Sequence, residues 1–171
     1  MHCFINPLKK DRMLDIRELK KISESRKKDW QRYFIKNKKR LAGMDTIIHS
    51  IHNRVSDKTD CLQCANCCRT LGPRLTDKDV ERMAKSLRVK HNDLVDKYLR
   101  IDEDGDLVFR EMPCPFLGAD NYCAIYEHRP KACREYPHTD RKKFVQIYTL
   151  TMKNAETCPI AFEVLEEIVG G

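Results

Sequence analysis

Four thiols fall within eight residues, at Cys61, Cys64, Cys67 and Cys68. Four more follow at Cys114, Cys123, Cys133 and Cys158, and Cys3 stands apart from them. A C-x2-C pair lets both sulfurs converge on one ion, and zinc sites complete the tetrahedron from a distant second pair. Here the pair is extended to C-x2-C-x2-C. Three thiolates from one short loop are the habit of iron–sulfur cubanes, in which a further cysteine is followed by proline. Cys114-Pro115 and Cys158-Pro159 both supply that dipeptide. The pattern points to metal held by thiolates. An iron–sulfur cluster of the [4Fe–4S] kind is preferred, with Zn2+ as the alternative, and all eight cysteines from Cys61 to Cys158 are candidate ligands.

Cys67 and Cys68 are adjacent, and neighbouring side chains usually diverge. One tetrahedral ion takes both only under strain. Two arrangements stay open. In one, Cys61, Cys64 and Cys67 take a distal partner while Cys68 joins three distal cysteines. In the other there is a single four-thiolate centre, and the remaining cysteines pack as small buried apolar residues.

Motifs for catalysis are sparse. The radical S-adenosylmethionine signature C-x3-C-x2-C fails because Leu71 stands where its third cysteine belongs. No G-x-G-x-x-G, Walker P-loop or H-E-x-x-H occurs. Tyr126, His128, Arg129, Arg134, Glu135, Tyr136 and His138 form a polar group around Cys133. Its simplest role is to support the thiolates: four of them on zinc leave a net negative site, so cations beside it are expected. The enzymatic reading needs an open pocket beside the metal lined by Tyr126, His128 and Arg134.

The elements that position these residues begin with a basic segment. Residues 1–56 carry 15 Lys/Arg against 6 Asp/Glu, whereas residues 57–171 carry 18 against 20. The overall charge of +7 thus belongs to the N-terminal part. The expected organisation is a basic helical segment at 1–56 and a cysteine-cluster domain at 57–171. Charged residues make up 35% of the chain, against a typical value of roughly 25%, so the apolar core is expected to be thin. Structural zinc is worth roughly 10–16 kcal/mol in small modules, enough to compensate. The N-terminus has no apolar run of signal-peptide length, and no stretch of eighteen apolar residues occurs. A cytoplasmic location without a transmembrane segment is expected, where dense cysteines mean metal or redox chemistry rather than disulfides.

Residues 13–41 contain no Gly or Pro and repeat apolar residues at helical spacing, with a break or a solvated stretch expected at the polar residues 23–29. Met13 opens this pattern better than Met1 does. A second helix is expected at 45–55, with Met44, Ile47, Ile48, Ile51 and Val55 on one stripe. Lys36, Lys38, Lys39 and Arg40 form a solvated face or, as an alternative, a surface for nucleic acid or a protein partner. His49 and His52 have a spacing that could share a metal, although surface histidines are commoner. Thr76 caps a helix whose apolar stripe is Val80, Met83, Ala84 and Leu87. Asn92 or Asp93 is expected to cap a further short helix. The acidic run at 102–106 lacks the alternation and terminal glutamate of a calcium loop and reads as a hairpin turn before a strand at 107–109. Residues 144–152 favour helix, and Pro159 opens a final one.

Taken in order, Cys61-x2-Cys64-x2-Cys67-Cys68, Pro113-Cys114-Pro115-Phe116-Leu117, Tyr122-Cys123-Ala124-Ile125-Tyr126, Arg129-Pro130-x2-Cys133-Arg134-x-Tyr136-Pro137 and Cys158-Pro159 resemble the CxxCxxCC, or YkgJ-like, cysteine-cluster family. The resemblance covers about residues 57–165 and implies a zinc- or iron-chelating domain. A similar cysteine domain in flagellin lysine N-methylases implies iron–sulfur binding, but this chain is shorter and carries no methyl-donor motif. The fold expected is mainly α with small irregular β elements, a metal-organised cysteine cluster preceded by N-terminal helices. The role expected is redox or accessory, or, with zinc, that of a structural or interaction module.

Overall fold

The computed structural model describes residues 15–170. Cys3 and the choice between Met1 and Met13 lie outside them. Helix α1 spans Leu19–Leu41 without interruption. Leu19, Ser23, Trp30, Phe34 and Leu41 fall on one buried face, at intervals that keep a 3.6-residue period. Of the break or solvated stretch expected at 23–29, the break is absent, and Glu24, Ser25, Lys27, Lys28 and Asp29 are exposed. Ser23 and Arg26 instead reach partners distant in sequence. The Ser23 hydroxyl donates to the Ala155 carbonyl at 2.8 Å, and Arg26 Nε donates to Glu166 Oε1 at 2.8 Å.

Helix α2 spans Asp45–Ser56 and buries Ile48 and Val55, with Met44 and Ile51 packed beside them. Ile47 departs from the expected stripe and is 54% exposed. It sits one residue, about 100° of helix, from the line through Ile48.

At the other end of the chain, a 3-10 turn at Phe144–Gln146 leads into the helix at Tyr148–Ala155, followed by the one at Pro159–Gly170. These elements pack with α1 and α2 around one core. Trp30 meets Phe162 edge-on at 5.5 Å, and Phe34 stacks on Tyr148 at 4.9 Å. Trp30 Nε1 donates to Glu166 Oε1 at 2.8 Å, which satisfies the one polar atom of a fully buried ring. The Asp45 carboxylate accepts from the backbone N–H groups of Lys143 and Phe144, at 2.6 and 3.2 Å. The two ends of the chain thus build a single helical core.

The middle of the chain builds a second, smaller core from Leu75, Val80, Met83, Leu94, Leu99, Phe109, Phe116 and Ile125. Its helix at Asp77–Leu87 starts with a reciprocal cap, in which Thr76 Oγ1 accepts from Asp79 N–H and Asp79 accepts from Thr76 N–H. The next helix, His91–Tyr98, starts after Lys90, which makes no side-chain cap. The expected cap at Asn92 or Asp93 is corrected to Lys90, two or three residues earlier. Asp93 instead lies in the first turn, where a carboxylate suits the positive helix end. Strands β1 (Leu99–Ile101) and β2 (Leu107–Phe109) pair antiparallel in the register Leu99↔Phe109, Arg100↔Val108 and Ile101↔Leu107. Between them Asp102 Oδ1 accepts from the N–H groups of Asp104 and Asp106, and Gly105 takes φ +79°. The acidic run is a hairpin turn. No described helix is long and apolar enough to cross a membrane.

Candidate metal centre

The first four cysteines lie on two short helical turns, α3 (Cys61–Cys64) and α4 (Asn66–Thr70). Asp60 caps the first by accepting from Leu62 N–H at 2.9 Å. Ala65 joins the turns at φ +45°, a left-handed conformation that costs roughly 1–2 kcal/mol outside glycine. Its methyl group is buried, so this joint is held by packing on both sides.

Two ties fix what surrounds these turns. Asn66 Nδ2 donates to the Thr157 carbonyl at 2.8 Å, which brings Cys158 beside the turns. Cys114 N–H donates to the Cys68 carbonyl at 2.8 Å, which brings the second core to the other side. Cys123 follows the tight turn at 118–122, where Gly118 N–H donates to Tyr122 O at 2.7 Å, and it bridges to Leu117. Cys133 lies on a short helix at Lys131–Glu135. That helix is anchored by Asp79, whose Oδ1 accepts from Lys131 N–H at 2.9 Å.

All eight predicted cysteines are free thiols, and all line one or both of two cavities between the cores. The first, of about 200 Å³, is lined by Cys61, Cys64, Cys67, Cys68, Cys123, Cys133 and Cys158. The second, of about 300 Å³, is lined by Cys67, Cys68, Cys114 and Cys133. Cys67, Cys68, Cys133 and Tyr136 face both. Among the described residues, no three Cys, His, Asp or Glu side chains already converge on one coordination point. The thiols surround space rather than a point.

Burial pushes these thiols up: Cys114 to about 11, and Cys133 and Cys158 to about 12. Cys67 and Cys68 share a hydrogen bond that raises the first and lowers the second. Arg129 opposes the trend and lowers Cys61, Cys68, Cys123 and Cys133. Its guanidinium lies 3.7 Å from the Tyr126 ring centroid and donates to the Tyr126 carbonyl at 2.6 Å. Buried thiols lining one cavity beside the Arg129 and Arg134 guanidiniums suit a cationic centre that replaces their protons. The donor set therefore fits thiolate-bound zinc or iron.

Arg134 donates to the Arg129 carbonyl at 3.3 Å. Tyr126 and Arg134 line the first cavity, and His128 does not. His138 lines the second. His52 Nδ1 lies 2.6 Å from Thr139 Oγ1, so its ring is spent on a buried hydroxyl. Asp79 and Asn66 are positioning residues that the sequence hid. Asp79 reads as an ordinary first-turn acid, yet its side chain is 2% exposed and ties three segments together. Burial pushes its carboxyl up. The hydrogen bonds from Thr76, Arg82 and Lys131 outweigh that and hold it at about 2. Arg82 also donates to the Arg129 carbonyl at 3.0 Å, so the network reaches the cation of the site.

No curated protein and no solved structure matches the chain. A family model does, over residues 60–159, and this span contains every cysteine that lines the cavities. The chain belongs to the CxxCxxCC family, described as a putative zinc- or iron-chelating domain.

Proposed function

We propose that the chain holds an iron–sulfur cluster through its cysteine thiolates and serves as a redox or accessory protein. One observation carries the preference for a cluster over a single ion. Three of the seven thiols that line the first cavity come from one C-x2-C-x2-C run on two adjacent helical turns. Three thiolates from one short loop suit an iron–sulfur cubane, whereas zinc sites take a C-x2-C pair and a distant second pair. A cluster of iron and sulfide bound there supplies a one-electron couple. The cysteines are its ligands, with Cys61, Cys64 and Cys67 presented by the two turns around Ala65. Arg129 offsets negative charge at the site, and Asp79 holds the segment that carries Cys133.

Anaerobic purification of the full chain, followed by iron, acid-labile sulfide and zinc analysis, tests this reading. Iron and sulfide in equal amounts with broad visible absorption are expected. Stoichiometric zinc in a colourless protein would replace the cluster by the ion. Absence of both metals from fully reduced protein would defeat the proposal.

A further inference from the structure

The eight thiols are not equivalent. Two independent features divide them, and the division passes between Cys67 and Cys68.

The first is the backbone. Asn66 ties the chain just before Cys158 to the start of α4, through the Thr157 carbonyl at 2.8 Å. Two residues later, the Cys68 carbonyl accepts from Cys114 N–H at 2.8 Å. The two distal strands of the site thus dock on opposite ends of a single helical turn. The second feature is packing. Cys158 is buried in the helical core, whereas Cys114 and Cys123 pack against the second core. The cavities meet across this seam without dividing the thiols: Cys114 faces only the second, Cys61, Cys64, Cys123 and Cys158 face only the first, and Cys67, Cys68 and Cys133 face both. Chain connections place Cys123 and Cys133 with Cys114. Cys133 follows Lys131, whose N–H donates to Asp79 beside the second core. Cys123 bridges to Leu117, three residues from Cys114, and Ala124 N–H donates to Phe116 O at 2.8 Å.

Successive side chains on a helix point about 100° apart, so one helical turn can aim two adjacent thiols at different targets. We infer that the chain carries two four-thiolate centres, one held by Cys61, Cys64, Cys67 and Cys158 and the other by Cys68, Cys114, Cys123 and Cys133. This rests on the reading that the cysteines bind metal, and it adds the number of centres and the ligands of each. The vicinal pair is the seam between the centres, and Arg129 lines the first cavity together with both of its cysteines.

The test is metal stoichiometry combined with anaerobic alkylation of the folded full chain, read residue by residue by mass spectrometry. The wild-type chain is expected to hold two centres per chain and to shield all eight thiols. Cys158→Ser is expected to halve the metal and to unshield Cys61, Cys64 and Cys67, while Cys68, Cys114, Cys123 and Cys133 stay shielded. Cys133→Ser is expected to give the reverse pattern. One centre per wild-type chain, with four thiols alkylated, overturns the inference and leaves the metal-binding proposal standing. So does a wild-type chain whose shielded set mixes the two groups. These wild-type readouts hold even if a variant fails to fold. A chain with no iron or zinc and eight reactive thiols defeats both.

Discussion

The two cores are built by different means. The helical core seals Trp30, Phe34, Phe144, Leu19, Leu41 and Leu165 from solvent and joins long helices from both ends of the chain. The second core is smaller, and residues 110–143 beside it contain only the turn at Tyr126–His128 and the five-residue helix at Lys131–Glu135. In that stretch order comes from Phe116 and Ile125 in the second core, from single hydrogen bonds to carbonyls and from Asp79. The helical core therefore carries its own stability through burial, and the cysteine side depends on whatever draws its thiols together.

Removal of metal is the strongest way to break this comparison. Structural metal is worth roughly 10–16 kcal/mol in small modules. Chelation is expected to abolish hydrogen-exchange protection over residues 110–143 and to leave α1 and the final helix protected. Uniform loss across both cores would show that they are one cooperative unit. Trp30→Ala should act the other way round. A fully buried ring removed from beside Phe162 costs about 3–5 kcal/mol, readable as a lower urea midpoint. The variant should retain metal when folded.

Asp79 probes the second core. Its carboxyl lies at about 2 in the folded chain against 3.8 for the free side chain. Because the folded value is the lower one, its contribution is complete above about pH 4 and fades as pH falls toward 2. The shift corresponds to about 2 kcal/mol. Asp79→Asn is expected to lose that amount at neutral pH and to flatten the acid limb of the stability curve. An unchanged acid limb would remove Asp79 from its anchoring role. Ser23→Ala should have a smaller effect, about 1 kcal/mol from the Ala155 hydrogen bond, with no effect on metal content. Smallest of all is charge reversal at Lys38 and Lys39. Both are exposed in the last turn of α1, and a change within about 0.5 kcal/mol is expected.

Much of this was legible in local sequence. The cap at Thr76, the hairpin around Gly105 and Pro159 at the head of the final helix depend on residues within a few positions of one another. The cysteines announced the site, and the spacing of Cys67 and Cys68 hinted at its division. What escaped was long-range. Ser23 read as a solvated break because its partner lies 132 residues away. Asp79 read as a cap because Lys131 is 52 residues distant. The charge change near residue 56 reports solvent-facing residues, whereas packing joins α1 and α2 to helices beyond residue 148. The left-handed Ala65 had no signal, since alanine ordinarily continues a helix.

The central claim is that the cysteines between the two cores hold iron. Diffraction from anaerobically grown crystals, recorded on both sides of the iron and zinc absorption edges, tests it most directly. The account predicts anomalous iron density between Cys61, Cys64, Cys67 and Cys158, within bonding distance of their sulfurs. Density at the zinc edge alone, or at neither edge, would contradict it.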